Sequence, residues 1–316
     1  MKIIDMHCDT IMSHYYNREE NLYDREGHLN LKMMKKADAL AQFFAIYLMR
    51  PEIDENGPYS LFEEMYQLYL KQMEQNADVI RPAYCCEDIL RNQAEGKMSS
   101  VLTIEDGVFV EDHIERIQEV YDKGVRLITL LWNFENSLGY PSSDNVKEHN
   151  LGLKPMGIEA VEMMNRLGMI IDVSHMSEGG FYDVAQHSKV PFVASHSCAR
   201  ALCGHRRNLT DQQLRTLGNK GGMVGVNFAP FFLKDDSEYA EISQVIEHMQ
   251  YMVSKAGIES VGLGSDFDGI DDAGEIKNYE GYIRILEHMQ TVFTDDEIDK
   301  ICTQNAMRVM KDVFGK

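Results

Sequence analysis

Residues 152–177 read GLKPMGIEAVEMMNRLGMIIDVSHMS, a stretch that contains one helix-to-strand transition. Its first part has a helical pattern, and Gly168 stands where a glycine commonly ends a helix. The run 169–173 follows directly; it is apolar and mostly β-branched except at Asp172, which is typical of a strand covered on both faces. His175 then places an imidazole just beyond that strand. The stretch therefore predicts a buried parallel strand that ends in a chemically active side chain.

The same order of strand, polar turn and helix recurs along the chain. Alternation of strands with helices specifies a parallel α/β fold, and eight strands match a (β/α)₈ TIM barrel better than a doubly wound sheet. Residues 49–95 form the longest stretch without a predicted strand, and we expect a loop and helices there. The eight predicted strands are 3–7, 41–48, 100–104, 126–131, 169–173, 192–195, 223–227 and 260–264.

Helix starts are predicted by three capping boxes, in which a serine or threonine precedes a glutamate or glutamine by three residues. The first turn of a helix has backbone N–H groups without a partner in the helix. The two side chains of a capping box stabilise the helix because each accepts a hydrogen bond from one of these groups. The three matches are Ser60-x-x-Glu63, Thr210-x-x-Gln213 and Thr294-x-x-Glu297.

The composition is ordinary for a globular chain. The chain has 316 residues, which fits one barrel domain as well as two average domains. No proline-, glycine- or serine-rich linker divides it, so we expect a single domain over residues 1–316. Acidic residues outnumber basic residues by 51 to 31, for a formal net charge of −20. This balance argues against a nucleic-acid or membrane-surface partner, because both attract clustered lysine and arginine.

Features of secreted and membrane-spanning proteins are not found in the sequence. The start MKIIDMHCDT has four residues before Asp5, too few for the apolar core of a signal peptide. The six cysteines show no spacing typical of a disulfide framework, so we expect reduced thiols. No apolar run approaches the roughly 20 residues of a membrane helix. We therefore expect a cytoplasmic location.

Six side chains with metal-binding chemistry follow predicted strands. Barrel enzymes carry their catalytic groups at the carboxyl ends of the strands, so these six are expected to meet. Imidazoles and carboxylates suit Zn²⁺ or a similar divalent ion, and six exceed the three protein ligands that one catalytic zinc ion takes. A pair of metal ions bridged by a carboxylate would use them all. The six residues are His7, Asp9, Glu105, His175, His196 and Asp266.

Each of these residues also has an ordinary structural explanation. A single histidine after a strand is more often hydrogen-bonded within the fold than bound to metal, and residues 105–107 and 266–269 could simply form turns. Their joint placement favours a shared site, with Glu105 as the bridge because a carboxylate offers two oxygens. The other eight histidines lie mostly in loops or helical patterns and are assigned structural roles. The sequence contains no dinucleotide-binding glycine motif, P-loop or nucleophile elbow.

With these residues assembled, the chain resembles the membrane dipeptidase (renal dipeptidase) family of zinc peptidases, which are amidohydrolase-type barrels. The resemblance implies a (β/α)₈ barrel, two zinc ions and hydrolysis of dipeptides, often including those with a D-residue at the carboxyl terminus. It spans nearly the whole chain through residues 152–177 and the stretches DMHCDT, AQFFAIYL, TIEDG, VASHSCARALCGHRRNLTD, GGMVGVNF and GLGSDFDG.

The resemblance also implies how the metal ligands are divided. In this family, His7 and Asp9 would bind one zinc ion, and His175 and His196 would bind the second. Glu105 would bridge the two ions. A hydroxide held between them would then attack the scissile carbonyl.

Three further positions concern the substrate. Arg207 matches an arginine that binds the substrate carboxylate, a task suited to the forked guanidinium, although it could instead be a surface charge near the helix at Thr210. Asp266 matches the acid that moves the proton of the bridging water to the leaving amine. Where the renal enzyme has a histidine after the fourth strand, this chain has Trp132, whose indole cannot carry a positive charge. We expect Trp132 to change the rate and specificity by packing against the substrate, or else only to fill the barrel mouth.

Two other functions fit the same residues. A related amidohydrolase acting on another amide, a lactone or a cyclic substrate would keep the metal ligands without needing Arg207. A metal-stabilised barrel that binds a small ligand or a protein would show no turnover. We expect a dipeptide substrate, no nucleic-acid or membrane partner, and a homodimer, since two-fold assemblies are the commonest.

Overall fold

The strands form one parallel sheet in which the last strand pairs with the first. The protein is described by a computed structural model that covers residues 1–315. The strands are β1 Ile3–Cys8, β2 Ala39–Tyr47, β3 Ile80–Pro82, β4 Met98–Glu105, β5 Val125–Thr129, β6 Ile170–Asp172, β7 Val193–Ser197, β8 Met223–Val226 and β9 Val261–Leu263. β9 pairs with β1 through Leu263 and Asp5, and β2 pairs with β4 from Ala41↔Ser99 to Tyr47↔Glu105. Eight strands thereby close a barrel in the order β1-β2-β4-β5-β6-β7-β8-β9, which confirms the predicted TIM barrel.

Helices separate most of the strands along the chain. Short 3₁₀ segments occur at Arg50–Glu52, Gly107–Val110 and Ile258–Ser260, and a π-helical turn at Lys300–Gln304. None of the helices within residues 1–315 has the length and apolar character needed to cross a membrane. The α-helices are α1 Thr10–Asn17, α2 Leu31–Lys36, α3 Pro58–Gln75, α4 Cys86–Ala94, α5 Arg116–Asp122, α6 Val146–His149, α7 Pro155–Leu167, α8 Glu178–His187, α9 Asp211–Asn219, α10 Pro230–Leu233, α11 Ile242–Ala256, α12 Gly281–Met289, α13 Asp295–Asp299 and α14 Asn305–Phe314.

The short strand β3 was not predicted, so the expectation of no strand in residues 49–95 was wrong. β3 pairs with the first three residues of β4, from Ile80↔Met98 to Pro82↔Ser100. β5 pairs with the later part of β4, from Leu102 to Glu105. β3 is therefore an extra edge strand outside the closed barrel. Three residues ending in a proline are too few to produce a recognisable strand pattern.

Two of the three predicted capping boxes are present. The Thr210 and Thr294 side chains each accept from the backbone N–H three residues on, and Gln213 and Glu297 complete the boxes. The box predicted at Ser60 was wrong because α3 already begins at Pro58. A proline favours the first position of a helix, where its missing N–H is not needed.

An apolar cluster closes the barrel at its amino-terminal end. Two hydrogen bonds show the position of the last helical segment: Thr303 Oγ1 donates to the Lys2 carbonyl at 2.7 Å, and Arg308 donates to the Gly221 carbonyl at 2.6 Å. Lys2 and Gly221 precede β1 and β8, so α14 lies below the strands and leaves the carboxyl end free for a site. The cluster includes buried strand residues Ile4, Met6, Phe43, Val101, Leu127, Ile170, Val193 and Met223, together with Val309, Met310 and Val313 of α14.

Candidate metal centre

The structure brings all six predicted metal-site residues together at the carboxyl end of the barrel. Three of them lie inside strands near their carboxyl ends, and three lie in the residues that follow a strand. All six are at least nine-tenths buried. The first three are His7, Glu105 and His196, and the others are Asp9, His175 and Asp266.

His7 is surrounded by carboxylates. Its Nε2 atom lies 3.5 Å from Glu105 Oε2, 3.6 Å from Asp9 Oδ1 and 3.7 Å from Asp266 Oδ1. His7, Asp9 and Asp266 form one group whose ligand atoms lie close enough together to hold a metal ion. The His-x-Asp spacing places both side chains of that motif in this group.

The other two imidazoles lie on the second oxygen of Glu105. Glu105 Oε1 is 2.9 Å from His175 Nε2 and 3.6 Å from His196 Nε2. The two Nε2 atoms are 3.0 Å apart. Glu105 thus presents one oxygen to His7 and the other to this histidine pair. The geometry is that of a carboxylate between two potential metal positions.

Several buried polar atoms of the site fit a bound cation. Both ring nitrogens of His7 and the Oδ1 atom of Asp9 have no hydrogen-bond partner within the described residues. A buried polar atom without a partner is costly, and a divalent cation would satisfy the two that face the site, His7 Nε2 and Asp9 Oδ1. Imidazole nitrogens and carboxylate oxygens are the donors that Zn²⁺ takes in catalytic sites. The donor set therefore fits zinc.

Burial and charge set the protonation of the imidazoles. Burial and the neighbouring Arg207 lower the pKa of His175 to about 4. Burial and the adjacent His7 place the pKa of His196 well below its usual range, so both imidazoles are neutral at pH 7 and can act as ligands. Burial opposes protonation of His7, but Asp9 and Glu105 hold its pKa well above its usual range. A metal ion entering this group would displace the His7 proton.

Two site residues have a left-handed backbone conformation that most side chains avoid. The φ angle is +67° at His175 and +65° at Asp266. Non-glycine residues in this region cost free energy, and such positions cluster at functional sites. Here the conformation turns the chain sharply after β6 and β9, so that both side chains face the centre.

Gly269 allows two carboxylates of the site to approach the backbone. A Cβ atom at this position would lie 2.0 Å from Asp9 Oδ2 and 2.6 Å from Asp266 Oδ1. We therefore expect Gly269→Ala to displace both carboxylates and to lower dipeptide hydrolysis at least tenfold with saturating zinc. Assays of kcat/KM, together with the thermal midpoint, would measure the effect.

Gly204→Ala is the matched control for this substitution. A Cβ atom at Gly204 would meet Asp235 Oδ1 at 3.6 Å, an ordinary contact, and neither glycine has a positive φ angle. Wild-type activity in Gly269→Ala would contradict the described packing of the two carboxylates.

A cavity of about 260 Å³ opens above the candidate metal ligands. Arg207 and Trp132 both line it. The Nε and Nη2 atoms of Arg207 are buried and have no partner among the described residues, and its guanidinium carbon lies 5.3 Å from the Phe232 ring centroid. Burial lowers the pKa of Arg207 to about 10, which keeps it charged at neutral pH. The ring centroids of Trp132 and Tyr47 are 5.0 Å apart, and both side chains line the cavity.

Sequence reasoning missed several residues of this site. Asn133 Oδ1 is 2.9 Å from His175 Nδ1, and Asn227 Nδ2 donates to Asp266 Oδ2 at 2.8 Å. Both asparagines follow strands, so the rule that selected the metal ligands could have found them. Tyr47 is the last residue of β2 and also lines the cavity. His205, which was assigned a structural role, lines the cavity.

Comparisons with known proteins find relatives along most of the chain. The model of the family described as membrane dipeptidase (peptidase family M19) matches residues 1–314. An uncharacterized protein in the pqqA 5′ region of Klebsiella pneumoniae is 36% identical over 256 residues, covering 78% of this chain and 93% of that protein. Dipeptidase tcpJ of Claviceps purpurea is 30% identical over 302 residues, covering 92% of this chain and 70% of that protein.

A solved structure has a similar fold. The metallo peptidase from Rhodobacter sphaeroides, liganded with a phosphinate mimic of the dipeptide L-Ala-D-Ala, superposes with a TM-score of 0.92. It is 25% identical to this chain, and the match covers 99% of each chain.

Proposed function

The chain belongs to the membrane dipeptidase family, peptidase family M19, and is a metal-dependent dipeptidase; we propose that it works with two zinc ions bridged by Glu105. His7 and Asp9 would hold one ion, and His175 and His196 the other. The observation that carries this proposal is the position of Glu105, whose two oxygens face His7 on one side and the histidine pair on the other. When bound, such a pair polarises a carbonyl and supplies hydroxide near neutral pH.

Asp266 is the proposed acid and base. Asn227 donates to its Oδ2 atom at 2.8 Å, which fixes the carboxylate and leaves Oδ1 directed at the candidate metal ligands. Burial raises the pKa of Asp266, which makes it a better proton acceptor than an exposed aspartate. In this role Asp266 takes the proton of the attacking water and delivers it to the amine that leaves.

Arg207 is proposed to select dipeptides by their free carboxylate. Its buried guanidinium retains two unpartnered atoms on the wall of the cavity that also contains Glu105 and Asp266. A guanidinium can bind a carboxylate through two parallel hydrogen bonds. In a cavity of about 260 Å³, the carboxylate held by Arg207 can lie only a short distance from the cleaved bond. Longer peptides would then be excluded.

We also propose that the enzyme accepts a D-residue at the carboxyl-terminal position. The Rhodobacter sphaeroides peptidase carries a mimic of L-Ala-D-Ala, which supports this substrate class. Trp132 and Tyr47 would contact the substrate through their aromatic faces. The ratio of activities on L,D- and L,L-dipeptides would show how the indole affects selection.

The proposal is tested by measuring amine release from a panel of L,L- and L,D-dipeptides. Zinc-loaded protein is expected to cleave dipeptides and to spare tripeptides and N-acyl amino acids, while chelator-treated protein loses activity that added zinc restores. Cleavage of a different amide or lactone, with dipeptides spared, would favour a related amidohydrolase. Folded, zinc-replete protein with no turnover on any of these would favour a binding function.

Assembly, domain organisation and location stay predictions. We propose a homodimer, a single domain over residues 1–316 and a cytoplasmic enzyme without a nucleic-acid or membrane partner. Sedimentation of the purified protein would test the dimer, and fractionation of cells would test the location.

A further inference from the structure

Ser195 precedes His196 in β7 and makes a hydrogen bond to its ring. The Ser195 Oγ atom lies 2.8 Å from His196 Nδ1 and 2.5 Å from Asp172 Oδ2. All three side chains are buried, and Asp172 and Ser195 are outside the set of residues assigned to the reaction. The three therefore form a short chain of hydrogen bonds that leads away from the candidate metal centre.

The direction of these hydrogen bonds follows from the surroundings of Asp172. Its carboxylate accepts from Thr129 Oγ1 at 2.6 Å and from the backbone N–H groups of Ser174 and Ser195, both at 2.9 Å. With these donors around it, Asp172 acts as an acceptor for the Ser195 hydroxyl as well. A serine hydroxyl has one proton, so once Asp172 accepts it, the Ser195 oxygen can only accept from His196. The remaining neighbour, Ser174 Oγ, is farther away at 3.4 Å.

We propose that Asp172 and Ser195 are positioning residues that set the tautomer of His196. The Ser195 oxygen accepts the Nδ1 proton, and the Nε2 lone pair is left directed at Glu105 and the neighbouring histidine. An imidazole binds metal through its unprotonated nitrogen, and partners of this kind orient the ring and raise its basicity. The inference rests on the ligand role of His196 in the proposed function.

The other two histidines of the site differ in whether their Nδ1 atom has a hydrogen-bond partner. His175 Nδ1 faces Asn133 Oδ1 at 2.9 Å, and an amide oxygen can only accept. His175 would therefore take the same tautomer once a metal ion replaces the proton between its Nε2 atom and Glu105 Oε1, which lie 2.9 Å apart. His7 Nδ1 has no comparable partner within the described part of the chain. The two imidazoles proposed for one zinc ion are therefore both oriented by a hydrogen bond, and the imidazole proposed for the other is not.

A second aspartate–serine pair provides a matched control. Ser265 Oγ donates to Asp5 Oδ2 at 2.6 Å, and the Ser265 N–H donates to Asp5 Oδ1 at 2.9 Å. This pair joins β1 to Ser265, two residues after β9, just as the first joins β6 to β7. Its serine oxygen contacts the His7 carbonyl and the Phe267 N–H, but no imidazole. Ser265→Ala therefore removes the same kind of buried hydrogen bond without removing a partner of a metal-site ring.

Zinc affinity separates a positioning role from a general structural role. We expect Ser195→Ala to weaken one of the two zinc equivalents by about 10- to 100-fold in competition with a chelator, the usual effect of losing such a partner. The other equivalent should keep its affinity, as should both equivalents in Ser265→Ala. Ser195→Thr, which keeps the hydroxyl, should restore the affinity. Equal weakening in Ser195→Ala and Ser265→Ala would overturn the proposal.

The tautomer is measured directly in the metal-free protein, independently of any catalytic activity. With ¹⁵N-labelled histidine, the ring nitrogens of His196 should show a proton on Nδ1 and none on Nε2 in the wild-type protein. Ser195→Ala should shift the proton population toward Nε2, and Ser265→Ala should leave it unchanged. A wild-type His196 protonated on Nε2 would refute the proposal that Asp172 and Ser195 set its tautomer. The proposed dipeptidase activity would be unaffected by that result, since it is tested by the substrate panel.

Discussion

Glu105→Gln is expected to lower kcat/KM for dipeptides by about three orders of magnitude, which corresponds to about 4 kcal/mol of transition-state stabilisation. The amide has nearly the same shape but no negative charge, and only its oxygen can bind a metal. The Gln side chain therefore cannot bind one metal ion beside His7 and a second beside the histidine pair. Zinc binding should fall from two equivalents to one or fewer, as counted by metal analysis after dialysis.

Glu95→Gln is the control for this substitution. Glu95 lies just before β4, at the opposite end of the strand that ends in Glu105, and forms a surface ion pair with Arg81 at 2.7 Å. Surface ion pairs contribute little to stability, so this variant should keep wild-type activity and zinc content. A Glu105→Gln protein that retained most of its rate would eliminate the bridging role.

Arg207→Ala should raise KM for dipeptides about a hundredfold, with a smaller change in kcat. The substitution removes two charge-assisted hydrogen bonds to the substrate carboxylate, a loss of about 3 kcal/mol. Arg207→Lys should recover part of the loss, because an ammonium keeps the charge but not the forked geometry. Initial rates over a wide range of dipeptide concentration would separate KM from kcat.

The neighbouring arginine is the comparison for this prediction. Arg206 is paired with Asp144 at 2.8 Å and is partly exposed, so Arg206→Ala should change KM only slightly. If instead Arg206→Ala caused the larger loss, the carboxylate site would belong to Arg206. If neither variant changed KM, the substrate would not be held by its carboxylate, as expected for another amidohydrolase.

Much of the barrel could be predicted from the sequence because its strands are buried on both faces. Every residue of β1, β2 and β4 is buried, and such strands produce continuous apolar runs. β3 escaped prediction because it is short and held only at the edge of β4. The false helix start at Ser60 has a similar cause: the local capping pattern was outweighed by Pro58, two residues earlier.

The grouping of the six candidate metal ligands could be predicted for a different reason. Their positions depend on the backbone, because any side chain that follows a barrel strand is carried to the same end of the molecule. The walls of the cavity depend instead on how loops fold back. His205 and Phe232 reach the cavity from the chain that follows β7 and β8, and no periodic pattern marks such contacts. The hydrogen bonds to His175 and His196 likewise required the structure.

The strand pair that closes the barrel bears on when during synthesis the candidate metal centre can form. β1 lies between β2 and β9, and Asp5 meets Leu263 across an interval of more than 250 residues. A ribosome has therefore produced His7, Asp9, Glu105, His175 and His196 well before the strand that holds β1 from its other side exists. Contacts this distant in sequence form slowly, because a long loop must be closed before they stabilise the fold. We therefore expect the proposed zinc sites to be completed only after nearly the whole chain has been made.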